Sequence, residues 1–136
     1  MQVREIMSTA PEIINPDTPL REVARLMRDR DIGAVPLGAD DRLVGMLTDR
    51  DIVVRGLAEH DDCSTLTAQQ VTTEALRYCF DDDDIDEVAS SMSQQQVRRL
   101  PVVNRDKRLV GMVSLGDVAR NAAPARSGEA LRGVSS

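Results

Sequence analysis

The stretch Ile32–Gly56, IGAVPLGADDRLVGMLTDRDIVVRG, decides the fold, because Val97–Asn121, VRRLPVVNRDKRLVGMVSLGDVARN, repeats it. Pro36 matches Pro101, the run Arg42-Leu43-Val44-Gly45-Met46 matches Arg108-Leu109-Val110-Gly111-Met112, and Asp51 matches Asp117. Self-similarity of this kind marks a duplicated structural unit. The match runs outward too. Leu20, Val23, Ala24 and Met27 recur as Ile85, Val88, Ala89 and Met92, and one extra residue falls in the turn between Pro101 and Gly111. An insertion confined to a turn is what a duplicated fold tolerates.

Working outward, residues 1–17 read as a leading segment. Val3, Ile6 and Met7 have helical spacing, and Glu12-Ile13-Ile14 reads as a short strand ended by Asn15-Pro16. Thr18-Pro19 predicts a helix start, with Thr18 as N-cap and Pro19 at the first helical position. The stripe Leu20, Val23, Ala24, Met27 predicts one buried face, with the helix ending near Arg30-Asp31. Ile32–Leu37 predicts an edge strand, Gly38–Asp41 a turn, and Leu43–Leu47 a strand covered on both faces. Thr48 then caps a helix in which Ile52, Val53 and Leu57 are expected to face inward. A polar connector at about residues 58–65 leads to the second copy, where Thr67–Val71 repeats the leading turn and Ala75–Phe80 the first strand.

Each half is therefore a β-α-β-β-α repeat with a short leading helix, spanning about 60 residues, which buries too little apolar surface to be secure alone. The expected architecture is α/β (α+β): repeat 1 at 1–61 and repeat 2 at 62–121, packed about a pseudo-two-fold axis, with a disordered tail at 122–136.

Composition narrows the function. The 136 residues carry a formal net charge of −6, so no counterion-release affinity for nucleic acid is expected. Aromatic content of 1% leaves almost no platform for base stacking. No run approaches the roughly 18 apolar residues of a membrane span, and the amino terminus lacks the features of a signal peptide. The expected compartment is the cytoplasm. Two cysteines, Cys63 and Cys79, and one histidine, His60, give no zinc-ligand spacing, and a disulfide is not expected. The acidic run Asp81–Asp84 lacks the alternation and central glycine of a calcium loop and falls where a helix should begin, which favours capping. No activated nucleophile, metal cluster or glycine-rich phosphate loop points to an enzyme.

The chemistry lies in Thr48-x-x-Asp51 and Ser114-x-x-Asp117. A hydroxyl closing a strand and opening a helix lies where anions are favoured. An aspartate three residues on projects from the same turn and could accept from the vicinal hydroxyls of a ribose. The alternative is a capping box, in which hydroxyl and carboxylate satisfy only each other's backbone.

With AVPLGADDRLVGMLTDRDI and RLPVVNRDKRLVGMVSLGD in view, the chain resembles the cystathionine β-synthase (CBS) domain family in its tandem-pair form, the Bateman module of stand-alone bacterial type. The resemblance covers nearly everything from Val3 to Asn121. It implies a regulatory module that holds an adenosine-containing ligand (AMP, ADP, ATP, NAD or S-adenosylmethionine) in clefts between the repeats and needs no other cofactor. By the same resemblance Ile13, Ile14, Ala34, Val35 and Pro36 would wall the adenine in one site, and Tyr78, Cys79, Leu100 and Pro101 would serve in the other. Thr48 with Asp51 and Ser114 with Asp117 match the positions that commonly contact the ribose. Arg98 and Arg99 stand where phosphate-binding relatives place a cation; the first copy has Gly33 and Ala34 there. A homodimer acting on a separate protein target is also implied. The competing expectation is a dimeric stress or interaction protein with vestigial clefts.

Overall fold

Each copy of the repeated stretch folds as an antiparallel hairpin that runs directly into a helical turn. The computed structural model describes residues 1–9, 11–72 and 77–121. In chain order the elements are a 3-10 turn at Val3–Glu5, β1 (Ser8–Thr9), α1 (Leu20–Arg30), β2 (Ala34–Ala39), β3 (Arg42–Thr48), α2 (Asp49–Asp51) continuing as a π-helical turn at Ile52–Leu57, α3 (Ala68–Val71), β4 (Cys79–Phe80), α4 (Ile85–Gln95), β5 (Arg99–Val103), β6 (Leu109–Ser114) and α5 (Leu115–Asn121). This is the mixed α/β order expected of two repeats. Two compact units form, Glu12–Leu76, and Met1–Pro11 together with Arg77–Ser136.

In the 12–76 unit, β2 and β3 pair with Ala34 opposite Thr48 and Pro36 opposite Met46, and the register shifts between Leu37 and Gly38. Asp40 and Asp41 make the turn with φ of 54° and 63°, the left-handed pair that matches hairpin twist. The turn is therefore shorter than the predicted Gly38–Asp41, and Gly38 and Ala39 remain in the strand. The expected strand at Glu12–Ile14 reduces to one parallel bridge between Ile14 and Leu37. Leu20, Val23, Met27, Val35, Leu37, Leu47, Ala68 and Val71 form the core.

In the other unit the strand order is β1-β6-β5-β4, with β4 parallel to β5 and the other pairs antiparallel. Arg99 faces Ser114 and Pro101 faces Met112, and the register shifts between Val102 and Val103, at the place corresponding to the shift in the first hairpin. The extra residue lies in the connection 104–108, where Lys107 takes φ 61°. Val3, Ile85, Val88, Ala89, Met92, Leu100, Val102, Val113 and Val118 form the core. Residues 75 and 76 of the predicted strand, and the tail 122–136, lie outside the described residues.

The leading segments set the composition of the two units. Val3 N–H donates to Asp83 O, Arg4 N–H to Asp81 O and Ile85 N–H to Met1 O, at 2.9–3.1 Å. The corresponding bonds in the 12–76 unit run from Ala68 N–H to Thr18 O, Gln69 N–H to Pro16 O and Leu20 N–H to Leu66 O, at 2.8–3.0 Å. Each leading turn thus docks on the loop before the long helix of the other half of the sequence. This explains why Thr18 does not cap α1 as predicted: its carbonyl is engaged by Ala68, and Pro19 stands at the N-cap with no side-chain bond.

Two further expectations are corrected. Val53 and Leu57 do not face inward; they are 56% and 67% exposed. The π-helical turn carries more residues per turn than an α-helix, and it brings Gly56 instead against Leu20, where an added Cβ would stand 3.1 Å from Leu20 Cδ2. Ala24 is exposed whereas its counterpart Ala89 is fully buried. In one unit α5 packs on α4. In the other an open, apolar groove of about 200 Å³ remains, lined by Leu20, Ala24, Ile52, Val53, Leu57 and Cys63, with Arg21 at its edge.

Candidate functional site

The junction of β3 with α2 places Thr48 and Asp51 together. Asp51 N–H donates to Thr48 Oγ1 at 3.1 Å, and Thr48 N–H donates to Asp51 Oδ2 at 3.0 Å. The junction of β6 with α5 repeats this: Asp117 N–H to Ser114 Oγ at 3.1 Å, Ser114 N–H to Asp117 Oδ2 at 3.4 Å. The capping-box reading is therefore realised in both copies. In each the other carboxylate oxygen meets an arginine one turn on: Arg55 Nε stands 3.6 Å from Asp51 Oδ1, and Arg120 Nη2 lies 2.6 Å from Asp117 Oδ1.

The predicted site residues fall into two sets, one in each unit. Around Thr48 and Asp51 lie Ala34, directly across the hairpin from Thr48, then Val35 and Pro36. Ile14 donates its N–H to Pro36 O at 3.0 Å, and Ile13 is half-buried beside it. Around Ser114 and Asp117 lie Arg99, directly across from Ser114, then Leu100 and Pro101. Cys79 pairs with Val102 on β4, and Tyr78 precedes it, its ring edge-on to Phe80 at 5.7 Å. Val35, Leu100, Pro36 and Pro101 are buried, the first two within the cores of their units, so any wall they offer a ligand is largely backbone. Cys79 is buried as well, and desolvation, with the Asp83 carboxylate adding to it, pushes its thiol up to about 12.

Charge separates the two junctions. Arg98 and Arg99 are exposed, and neither forms an ion pair among the described residues. At the corresponding place in the first copy a Cβ on Gly33 would stand 3.0 Å from Asp49 Oδ2, so a carboxylate lies against bare backbone there. The backbone frame is the same in both: Asp49 N–H donates to Gly33 O at 2.9 Å and Leu115 N–H to Arg98 O at 2.7 Å. Asp49, Arg55 and Arg120 escape motif reading. Asp49 could have been found by carrying the hairpin alignment one residue past the hydroxyl, and the arginines by their spacing from the aspartates.

The acidic run serves the backbone and one exposed arginine. Asp84 accepts from Asp86 N–H at 2.9 Å as N-cap of α4, Asp83 accepts from Phe80 N–H, and Asp82 takes a two-pronged contact from Arg105 at 2.9 and 2.6 Å. The Arg105 guanidinium lies 4.1 Å from the centre of the Phe80 ring. Among the described residues no group of three His, Cys, Asp or Glu could hold a metal ion, and no helix is long and apolar enough to cross a membrane.

The CBS domain family model matches residues 3–57 and again 68–123. The chain belongs to the CBS domain family. Hypoxic response protein 1 of Mycobacterium tuberculosis is 43% identical over 119 residues, 87% of this chain and 82% of that protein. A crystal structure of Hypoxic Response Protein I with two coordinated zinc ions superposes with a TM-score of 0.82 at 41% identity, over 90% of this chain and 99% of that one. The CBS domain pair of protein MJ0100, solved with 5′-methylthioadenosine and S-adenosyl-L-methionine, gives a TM-score of 0.76 at 27% identity, over 88% of this chain and 94% of that one.

Proposed function

We propose that this CBS pair is a regulatory or sensing module that binds an adenosine-containing ligand at its hairpin–helix junctions. AMP, ADP, ATP, NAD and S-adenosylmethionine are the candidates; the protein acts non-catalytically in the cytoplasm, as a homodimer, on a separate protein target. The carrying observation is that a hydroxyl and an aspartate recur at the same place in both hairpins, Thr48 with Asp51 and Ser114 with Asp117. The MJ0100 pair, which holds two adenosine derivatives, supports the ligand class. A ligand alters the packing or the partner only through different affinity for two states.

A thermal-shift panel of the five candidates, run to ligand concentrations well above millimolar, tests the reading. Saturable stabilisation by one of them, lost in Asp117→Ala or Asp51→Ala, is expected. A second reading, an interaction protein with vestigial sites, draws on the capping boxes, since both pairs already satisfy their own backbone. It predicts no shift with any ligand while the two variants still lose the cap, about 1 kcal/mol of stability each.

A further inference from the structure

We infer that Arg120 is a latch on the second junction: its guanidinium holds the Asp117 oxygen that a ribose would use. An uncharged adenosine derivative therefore loads the Thr48 junction first and reaches Asp117 only by displacing Arg120. The inference rests on the proposed adenosine binding and adds to it an order of loading.

In both copies the aspartate gives Oδ2 to the backbone N–H of its capping partner, Thr48 or Ser114. At Asp117 the remaining oxygen, Oδ1, takes Arg120 Nη2 at 2.6 Å, the distance of a charge-assisted hydrogen bond. At Asp51 the arginine stands off: Arg55 Nε lies 3.6 Å from Oδ1, too far for a hydrogen bond.

Two residues make the difference. A Cβ on Gly116 would stand 3.3 Å from Arg120 Nη1 and 3.8 Å from Ser114 Oγ. The guanidinium thus lies over bare backbone, beside the hydroxyl–aspartate pair, in space that any other residue at 116 would share. The first copy has Arg50 where the second has Gly116, and Val54 where the second has Arg120. Neither the seat nor the latch is present there.

The latch has an inverted salt signature. Salt screens an exposed ion pair and loosens it, whereas an uncharged ligand has no charge of its own to be screened. Affinity at the Ser114 junction should therefore rise with ionic strength.

Calorimetric titration of the full chain with 5′-methylthioadenosine, at low and at high sodium chloride, tests this. In Asp51→Ala, which leaves the Ser114 junction, affinity should rise about twofold with salt, the share of an exposed pair that screening removes. In Asp117→Ala, which leaves the Thr48 junction, it should change less. Arg120→Gln in the Asp51→Ala background should lose the rise. The converse variant, Arg50→Gly/Val54→Arg in the Asp117→Ala background, should bind more weakly than its parent and acquire the rise. Melting curves without ligand establish that each variant is folded. Where an aspartate variant is not, Arg120→Gln compared with the wild-type chain gives the same reading, since the weaker of two sites should tighten. Equal salt responses at the two junctions, or a response unchanged when Arg120 is removed, overturn the latch and leave adenosine binding in place. Failure of the wild-type chain to bind 5′-methylthioadenosine at either salt also overturns the latch, and failure to bind any of the five candidates as well overturns the adenosine reading itself.

Discussion

Arg120 donates to Asp117 Oδ1 at 2.6 Å from one turn further along the helix, so the carboxylate expected to meet a ribose is held at both oxygens, one by Arg120 and one by the Ser114 N–H. The pair at the other junction, Arg55 with Asp51, is a full ångström longer. A ribose reaching Asp117 must share or displace Arg120. The Arg120 side chain is 70% exposed, and such a pair is worth at most about 1 kcal/mol. Arg120→Gln should therefore raise affinity for 5′-methylthioadenosine at the Asp117 junction up to about fivefold, read by titration in an Asp51→Ala background.

Gly111 has no room for a side chain. A Cβ there would stand 2.6 Å from Met7 Sδ and 2.6 Å from the Ser8 carbonyl, because the chain from Met7 enters β1 beside Gly111, where Thr9 pairs with it across the antiparallel β1–β6 ladder. Gly111→Ala should lower unfolding stability by about 2 kcal/mol, within the range of overpacked cores, measured by denaturant melts. It should also raise hydrogen exchange at residues 3–9, since relief comes most easily by shifting β1.

Asp31 and Gln96 end the two long helices in the left-handed conformation, with φ of 52° and 55°. Neither copy uses glycine, the residue that adopts this region without steric cost. Asp31→Gly and Gln96→Gly should each raise stability by about 0.5 kcal/mol, seen as a melting-temperature gain of a few degrees.

Cys79 should resist thiol reagents. With its thiol pushed up to about 12 and its side chain buried, alkylation at pH 8 should stop at the half-buried Cys63 until the chain unfolds. The sign of the pH dependence follows. The folded state keeps the Cys79 proton where the unfolded chain, near the ordinary value of 9.0, releases it. Stability should therefore fall as pH rises from about 9 toward 12, and Cys79→Ala should flatten that slope in melts taken across the range.

The repeat was legible because hairpins and their caps are local. Pro36 and Pro101, the two Leu-Val-Gly runs and the hydroxyl–aspartate pairs all keep their alignment in space. What the chain hid is non-local. Thr18 has the residue type of an N-cap, yet its loop is claimed by α3 from fifty residues away. Val53 and Leu57 have helical spacing that a π-helical turn invalidates. Asp49 sits outside every motif, and its position against Gly33 becomes visible only when strand and helix are brought together.

The mutual docking of the leading turns means that the two halves of the sequence do not correspond to two separable bodies. Val3, fully buried, completes the core of residues 77–121, and Ala68 and Val71 complete that of residues 12–57. A single cut in the connector near His60 would strand each leading turn on the fragment it does not serve, so neither fragment could close its own core. Mixed together, the fragments would have to exchange those turns to refold. After such a break, stability should therefore become a bimolecular, concentration-dependent quantity.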